Sequence, residues 1–115
     1  MRTIIAGTRR FWSTAVVRDA IRESGFDISF IIVGGAPGID RAGEDVAVID
    51  RIPFKVYLAD WDRFGNDAGM IRNREMRDHP ADQLIAIPDS ESVGTRGMIT
   101  LMRDLNLPVY VKELP

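Results

Sequence analysis

Three short stretches combine residue types that can hold an anion. Residues 7–10 read GTRR, residues 34–40 read GGAPGID, and residues 92–96 read SVGTR. Glycine lets backbone N–H groups approach a charged group closely. Threonine adds a hydroxyl donor, and arginine adds a planar fork that matches two phosphate oxygens. A helix opening just after such a loop contributes the partial positive charge of its N-terminus. Each feature also has a plainer reading. GGAPG can be a tight strand-to-helix turn, and Asp40 can merely complement a helix dipole. Arg9 and Arg10 can be a solvated pair. Arg72, Arg74 and Arg77 can be salt-bridged surface, for example Arg74 with Asp78. Trp61 can be a core or lid residue rather than a platform for a base, and His79 can be a helix cap.

The elements that must carry these stretches alternate along the chain. Apolar runs at 3–7, 29–34, 54–59, 83–87 and 108–112 read as strands. The first, second and fourth are almost continuously apolar, as in strands buried on both faces. Segments 13–25, 39–51, 67–79 and 94–106 repeat with helical spacing. Ser13 suits an N-cap and Gly25 a C-terminal stop. The stripe of the last helix is Met98, Leu101, Met102 and Leu105. Segment 67–79 is far more polar than the others, which points to a face meeting a ligand or a partner.

Five strands alternating with four helices predict one α/β domain over residues 1–115. The expected form is a Rossmann-like three-layer sandwich with a five-stranded parallel sheet ordered 3-2-1-4-5. In such sheets ligands bind outside the carboxyl ends of the strands, where the strand order reverses. All three stretches fall at those ends, as do Asp60 and Trp61 after the third strand. That convergence outweighs any one of the stretches.

Composition narrows the chemistry. The chain has 115 residues, 45% of them apolar, and a net charge of −2. No cysteine is present and there is one histidine, so thiol chemistry and zinc-thiolate sites are excluded and no metal or cofactor is expected. The absence of a basic stripe disfavours nucleic acid as a partner. Only four apolar residues precede the first glycine, too few for a secretory leader, and no run approaches the roughly 18 residues that span a bilayer. A soluble cytoplasmic protein without membrane contact is expected.

The order GTR (7–9), GGAPGIDRAGEDVA (34–47), ADWDRFGNDAGMIRNREM (59–76), AD-x-LIA (81–86) and S-x-GTRGMI (92–99) resembles the YspA/YpsA-related branch of the SLOG superfamily. That branch is common in bacteria and their phages. Its relatives include the Lonely Guy phosphoribohydrolases and the DNA-processing protein A family. The resemblance implies a nucleotide or nucleotide-derived small molecule as ligand. It implies that Gly34, Gly35 and Gly38 line that ligand, with Ala36 and Pro37 between them. Gly94 and Thr95 would hold a phosphate, helped by Ser92, Arg96, Gly7, Thr8 and Arg9. Arg72, Asn73 and Glu75 would face the pocket, with Arg72, Glu75 and Asp40 as candidate catalytic residues. Asp40 or Glu75 would meet the sugar, and Trp61 the base. The phosphoribohydrolases carry a glutamate three residues after the threonine of their GT-x-x-E motif, where this chain has Met98. Binding or sensing of the nucleotide is therefore expected ahead of hydrolysis of its N-glycosidic or phosphoester bond, and both ahead of single-stranded DNA binding. A homo-oligomer pairing near the site is a further expectation.

Overall fold

The three near-continuous apolar runs form the three inner strands of one parallel sheet. In this computed structural model, residues 1–78 and 81–115 are described, so the cap expected at His79 lies outside them. β1 (Arg2–Gly7) lies between β2 (Phe30–Val33) and β4 (Gln83–Ile87). β3 (Phe54–Val56) and β5 (Val109–Val111) form the two edges, which gives the order 3-2-1-4-5. Register follows burial: Ile4 stands opposite Ile32 on one side and Leu84 on the other. The edge strands are shorter and only partly covered, which is why their sequences are less uniformly apolar.

Four long helices occupy the expected segments among the described residues: α1 (Thr14–Ser24), α2 (Ile39–Ile49), α4 (Ala68–Asp78) and α5 (Val93–Asp104). A one-turn helix, α3 (Trp61–Phe64), and a 3-10 turn (Gly65–Asp67) fill a stretch with no helical period of its own. Ser13 caps α1 by accepting from the Val16 N–H at 3.1 Å, and Gly25 ends it with φ 69°.

The sheet separates two cores. Ile5, Ile31, Val33, Ile85 and Ile87 face α1 and α2, which bury Val17, Ala20, Ile39, Ala42, Val46 and Ala47 against them. Ile4, Ala6, Ile32, Leu84 and Ala86 face the other way, onto Met76 of α4 and Met98, Ile99 and Met102 of α5. The apolar stripe of α5 differs from expectation. It runs through Thr95, Met98, Ile99 and Met102, while Leu105 lies past the last helical residue and is 52% exposed.

Candidate functional site

Two loops meet at the carboxyl edge because Gly38 allows it. Gly38 sits at the start of α2 with φ 80°, and a Cβ there would collide with the carbonyl of Thr8. The contact is sealed by the Ile39 N–H, which donates to the Thr8 carbonyl at 3.0 Å. GGAPG is thereby fixed against GTRR across β1 and β2. Gly38 takes this structural role and does not line the main cleft.

Helix α4 supplies the opposing wall. Gly69, Arg72, Asn73 and Met76 fall on one side of it and line the cleft. Asn73 is buried, and its Nδ2 donates to the Gly94 carbonyl at 3.1 Å, which ties α4 to the first turn of α5. Arg72 reaches over the sheet edge, and its Nη1 donates to the Gly34 carbonyl at 2.8 Å. A Cβ on Gly34 would stand 2.9 Å from both Arg72 Cζ and Asp40 Oδ2, so the absence of a side chain lets the two groups close over the backbone. The Nε of Arg72 is buried and has no hydrogen-bond partner among the described residues. Such buried donors are uncommon and ask for an explanation.

Asp40, in the first turn of α2, is buried on the facing side of the cleft. Desolvation pushes its carboxyl up to about 6, against the opposing pull of Arg72 and of backbone N–H groups at Ala36, Gly7 and Gly34. Those donors are weak: the Ala36 N–H lies 3.3 Å from Oδ2. Burial lowers the Arg72 guanidinium too, and the like charge of Arg9 lowers it further. Arg9 is exposed and makes no ion pair among the described residues.

The β4–α5 corner contains a residue that the sequence reading did not single out. Asp89 is buried between the GTRR loop and the start of α5. Its Oδ2 accepts from Thr8 Oγ1 at 2.6 Å and from Arg10 Nη2 at 3.0 Å. Its Oδ1 accepts from Ser92 Oγ and from the Glu91 N–H, both at 2.9 Å. The Thr8 hydroxyl, the Glu91 N–H, Arg10 and Ser92 together hold this carboxyl well below the usual carboxylate range. Arg10 also pairs with Glu91. The expected phosphate donors Thr8 and Ser92 are thus engaged by an internal carboxylate. A sequence signal existed: an aspartate two residues after a buried strand and three residues before a serine at a helix start.

Together these walls enclose a cleft of about 680 Å³ beyond the carboxyl ends of β1 and β4, where the strand order reverses, within the usual size range for small-molecule sites. Gly7, Thr8, Arg9, Gly34, Gly35, Ala36 and Pro37 line it, as do Asp40, Trp61, Arg72, Asn73, Ser92, Gly94 and Thr95. Trp61 stands at the mouth, 53% exposed. Besides Gly38, three expected residues lie elsewhere. Glu75 is exposed and off the cleft, because the inward face of α4 passes through 69, 72, 73 and 76 and leaves 75 about a third of a turn away. Asp60 is the cap of α3, accepting from the Arg63 N–H at 3.1 Å. Arg96 turns outward to Glu113 at 3.0 Å and braces the Asp89 carbonyl at 2.8 Å. The pairing foreseen between Arg74 and Asp78 is made instead by Arg77 with Asp78, at 2.8 Å.

A five-stranded parallel sheet of this order, with a cleft at its switch point, defines a Rossmann-like α/β domain. The chain is 30% identical to the Gene 61 protein of Mycobacterium phage D29 across 94% of its own length and 93% of that protein's, and it belongs to the same family. No family model matches the chain. No solved structure matches it either. Among the described residues, no helix is long and apolar enough to cross a membrane.

Proposed function

We propose that the cleft binds a nucleotide or a nucleotide-derived ligand, as the resemblance to the YspA/YpsA-related branch of the SLOG superfamily implies. One observation supports this above the others. Arg9 and Arg72 approach closely enough for one to depress the other, and neither makes an ion pair among the described residues. Two converging guanidiniums, with only the single Asp40 carboxyl beside Arg72 to set against them, are suited to an anionic ligand group. The first-turn N–H groups of α5 at Gly94 and Thr95 have no acceptor within their own helix and add donors on the same side. Trp61 at the mouth offers a ring face to a base.

The reading is tested by calorimetry with nucleoside mono- and diphosphates and cyclic nucleotides. Binding is expected, and Arg72→Ala should weaken it by at least about tenfold, the loss of one charged hydrogen-bonding group. The absence of binding heat with every nucleotide tried would remove the reading.

Asp40 favours a second reading, a hydrolase acting on the N-glycosidic or phosphoester bond of that ligand. A cleft-lining carboxyl with a midpoint near 6 can give or take a proton near neutrality. Met98, buried beneath the cleft, stands where the phosphoribohydrolases hold a glutamate. Incubation of nucleoside monophosphates at high protein concentration, followed by chromatography, decides it: products lost in Asp40→Asn support hydrolysis, and intact substrate excludes it.

A further inference from the structure

Arg72 has two negative claimants. Its charge pulls on the buried Asp40 carboxyl, yet its short hydrogen bond, at 2.8 Å, goes to the Gly34 carbonyl. Gly34 stands between the two side chains: a Cβ there would lie 2.9 Å from Arg72 Cζ and 2.9 Å from Asp40 Oδ2. The Ala36 N–H reaches the same carboxyl only at 3.3 Å. Asp40 is 4% exposed, so water does little to support its charge. The second claimant is any anion that enters the cleft.

Such an anion changes the balance at Asp40. Arg10 is already engaged by Asp89 and Glu91, which leaves Arg72 and Arg9 to receive it. Asp40 then faces a second negative charge in a site shut off from water, while the arginine that opposed its burial turns to the newcomer. Both changes disfavour the ionised carboxylate. A protonated carboxyl has an O–H to offer the anion, so a repulsion becomes a hydrogen bond. The other charges at the cleft are accounted for. The β1–α1 loop brings Arg9 and Arg10, and α4 brings Arg72 alone. The β4–α5 corner brings Asp89, held ionised by its donors, and Glu91, exposed and paired with Arg10. The GGAPG loop and α3 bring none.

We propose that the cleft takes up an anionic group and a proton together: as the anion engages Arg72 and Arg9, one proton passes from solvent to the Asp40 carboxylate, and no other bond is made or broken. This rests on the anion-binding reading of the cleft given above. The coupling is reciprocal, so protonation tightens the anion by the same factor by which the anion favours protonation. The bound state holds more protons than the free one, so affinity falls as pH rises. The fall begins near the free carboxyl's midpoint of about 6.

Sulfate and the nucleoside cyclic monophosphates are the first probes, because their charge is constant between about pH 5.5 and 8, whereas a phosphomonoester titrates near 6. Calorimetry on the full chain at pH 7, in two buffers of unlike ionisation heat, counts the protons taken up. About 0.5 proton or more per bound probe is expected, with affinity about tenfold weaker at pH 8 than at pH 5.5. Asp40→Asn should take up none and bind equally at both pH values. Where a linear nucleotide alone binds, its own titration is common to both proteins, and the wild-type excess over Asp40→Asn is the count. Carboxyl-carbon NMR on the wild type should show the Asp40 midpoint rise when the probe is added, a readout that does not depend on the variant. Binding with no proton uptake and no rise overturns this inference and leaves the anion reading standing. Uptake that persists in Asp40→Asn overturns the assignment to Asp40. No binding of sulfate or of any nucleotide overturns both this inference and the reading beneath it.

Discussion

Asp40 and Asp89 stand at the same edge of one sheet, both nearly shut off from water, and their carboxyls are driven in opposite directions. Burial alone raises both. What separates them is the supply of donors. Asp89 receives two hydroxyls, a backbone N–H and a guanidinium, four of them between 2.6 and 3.0 Å. Asp40 has a long backbone contact at 3.3 Å and a guanidinium that spends its closest bond on the Gly34 carbonyl. A fully solvated-by-protein carboxylate is a structural staple. An under-solvated one beside an arginine is available for chemistry or for a ligand.

The same kind of substitution should therefore act with opposite sign at the two positions. Asp89→Ala leaves Thr8, Ser92 and Arg10 without their acceptor and loosens the GTRR loop from α5. A fall in melting temperature of about 12 °C is expected by calorimetry, the scale of several buried hydrogen bonds. A melt unchanged from wild type would deny the staple. Asp89 stabilises the fold above the ordinary carboxylate range, and this support is lost only as pH falls through its depressed value. Asp40→Asn should do the reverse at pH 8. Its folded midpoint near 6 exceeds the ordinary 3.8, so the native state carries no penalty below about pH 4, one that grows between about pH 4 and 6, and a constant one above that. Removing the charge should stabilise the nucleotide-free protein by about 3 kcal/mol at pH 8 and by almost nothing at pH 4. Denaturant melts at the two pH values check both size and trend.

Most of the frame that positions these aspartates could be read from residue order. Continuous apolar runs identified the inner strands, and helical spacing identified the four long helices, because both patterns report burial directly. The glycines of the GTRR and GGAPG loops were legible because they fall at strand ends, whereas Arg72, in the middle of α4, was reached through the family resemblance. Glu75 was misplaced because a polar helix gives little sign of which side turns inward: α4 buries only Ala68, Asn73 and Met76. Asp89 went unnoticed and Arg96 was overvalued for a related reason. Asp89 lies in the β4–α5 loop and Arg96 near the start of α5, where any polar residue could serve a ligand, and only the three-dimensional closure of Thr8 onto Asp89, 81 residues away, shows which groups are already engaged.

A smaller effect isolates the part played by Arg72. Its charge opposes the desolvation of Asp40, so Arg72→Gln should raise the Asp40 midpoint above 6. The Asp89 carboxyl, which Arg72 does not hold, should stay ionised throughout. Carboxyl-carbon NMR titration of both residues in one sample provides the control. A midpoint that stayed put or fell would mean that Asp40 owes its state to burial alone.

The finest adjustment is at Gly34, on whose backbone Arg72 and Asp40 both rest. Its φ is not in the left-handed region, so alanine is tolerated by the main chain and the disturbance is confined to space. The new methyl would lie 2.9 Å from Arg72 Cζ and from Asp40 Oδ2 and 3.0 Å from Arg72 Nε. The end of the arginine is the most movable of these groups, so it should withdraw by a few tenths of an ångström and weaken its bond to the Gly34 carbonyl. Gly34→Ala should cost only about 1 kcal/mol of stability. It should nonetheless raise the Asp40 midpoint, in the same direction as Arg72→Gln and by less, and leave Asp89 untouched. A larger rise than in Arg72→Gln would show that the methyl acts on Asp40 itself, by displacing its backbone N–H donors rather than its arginine.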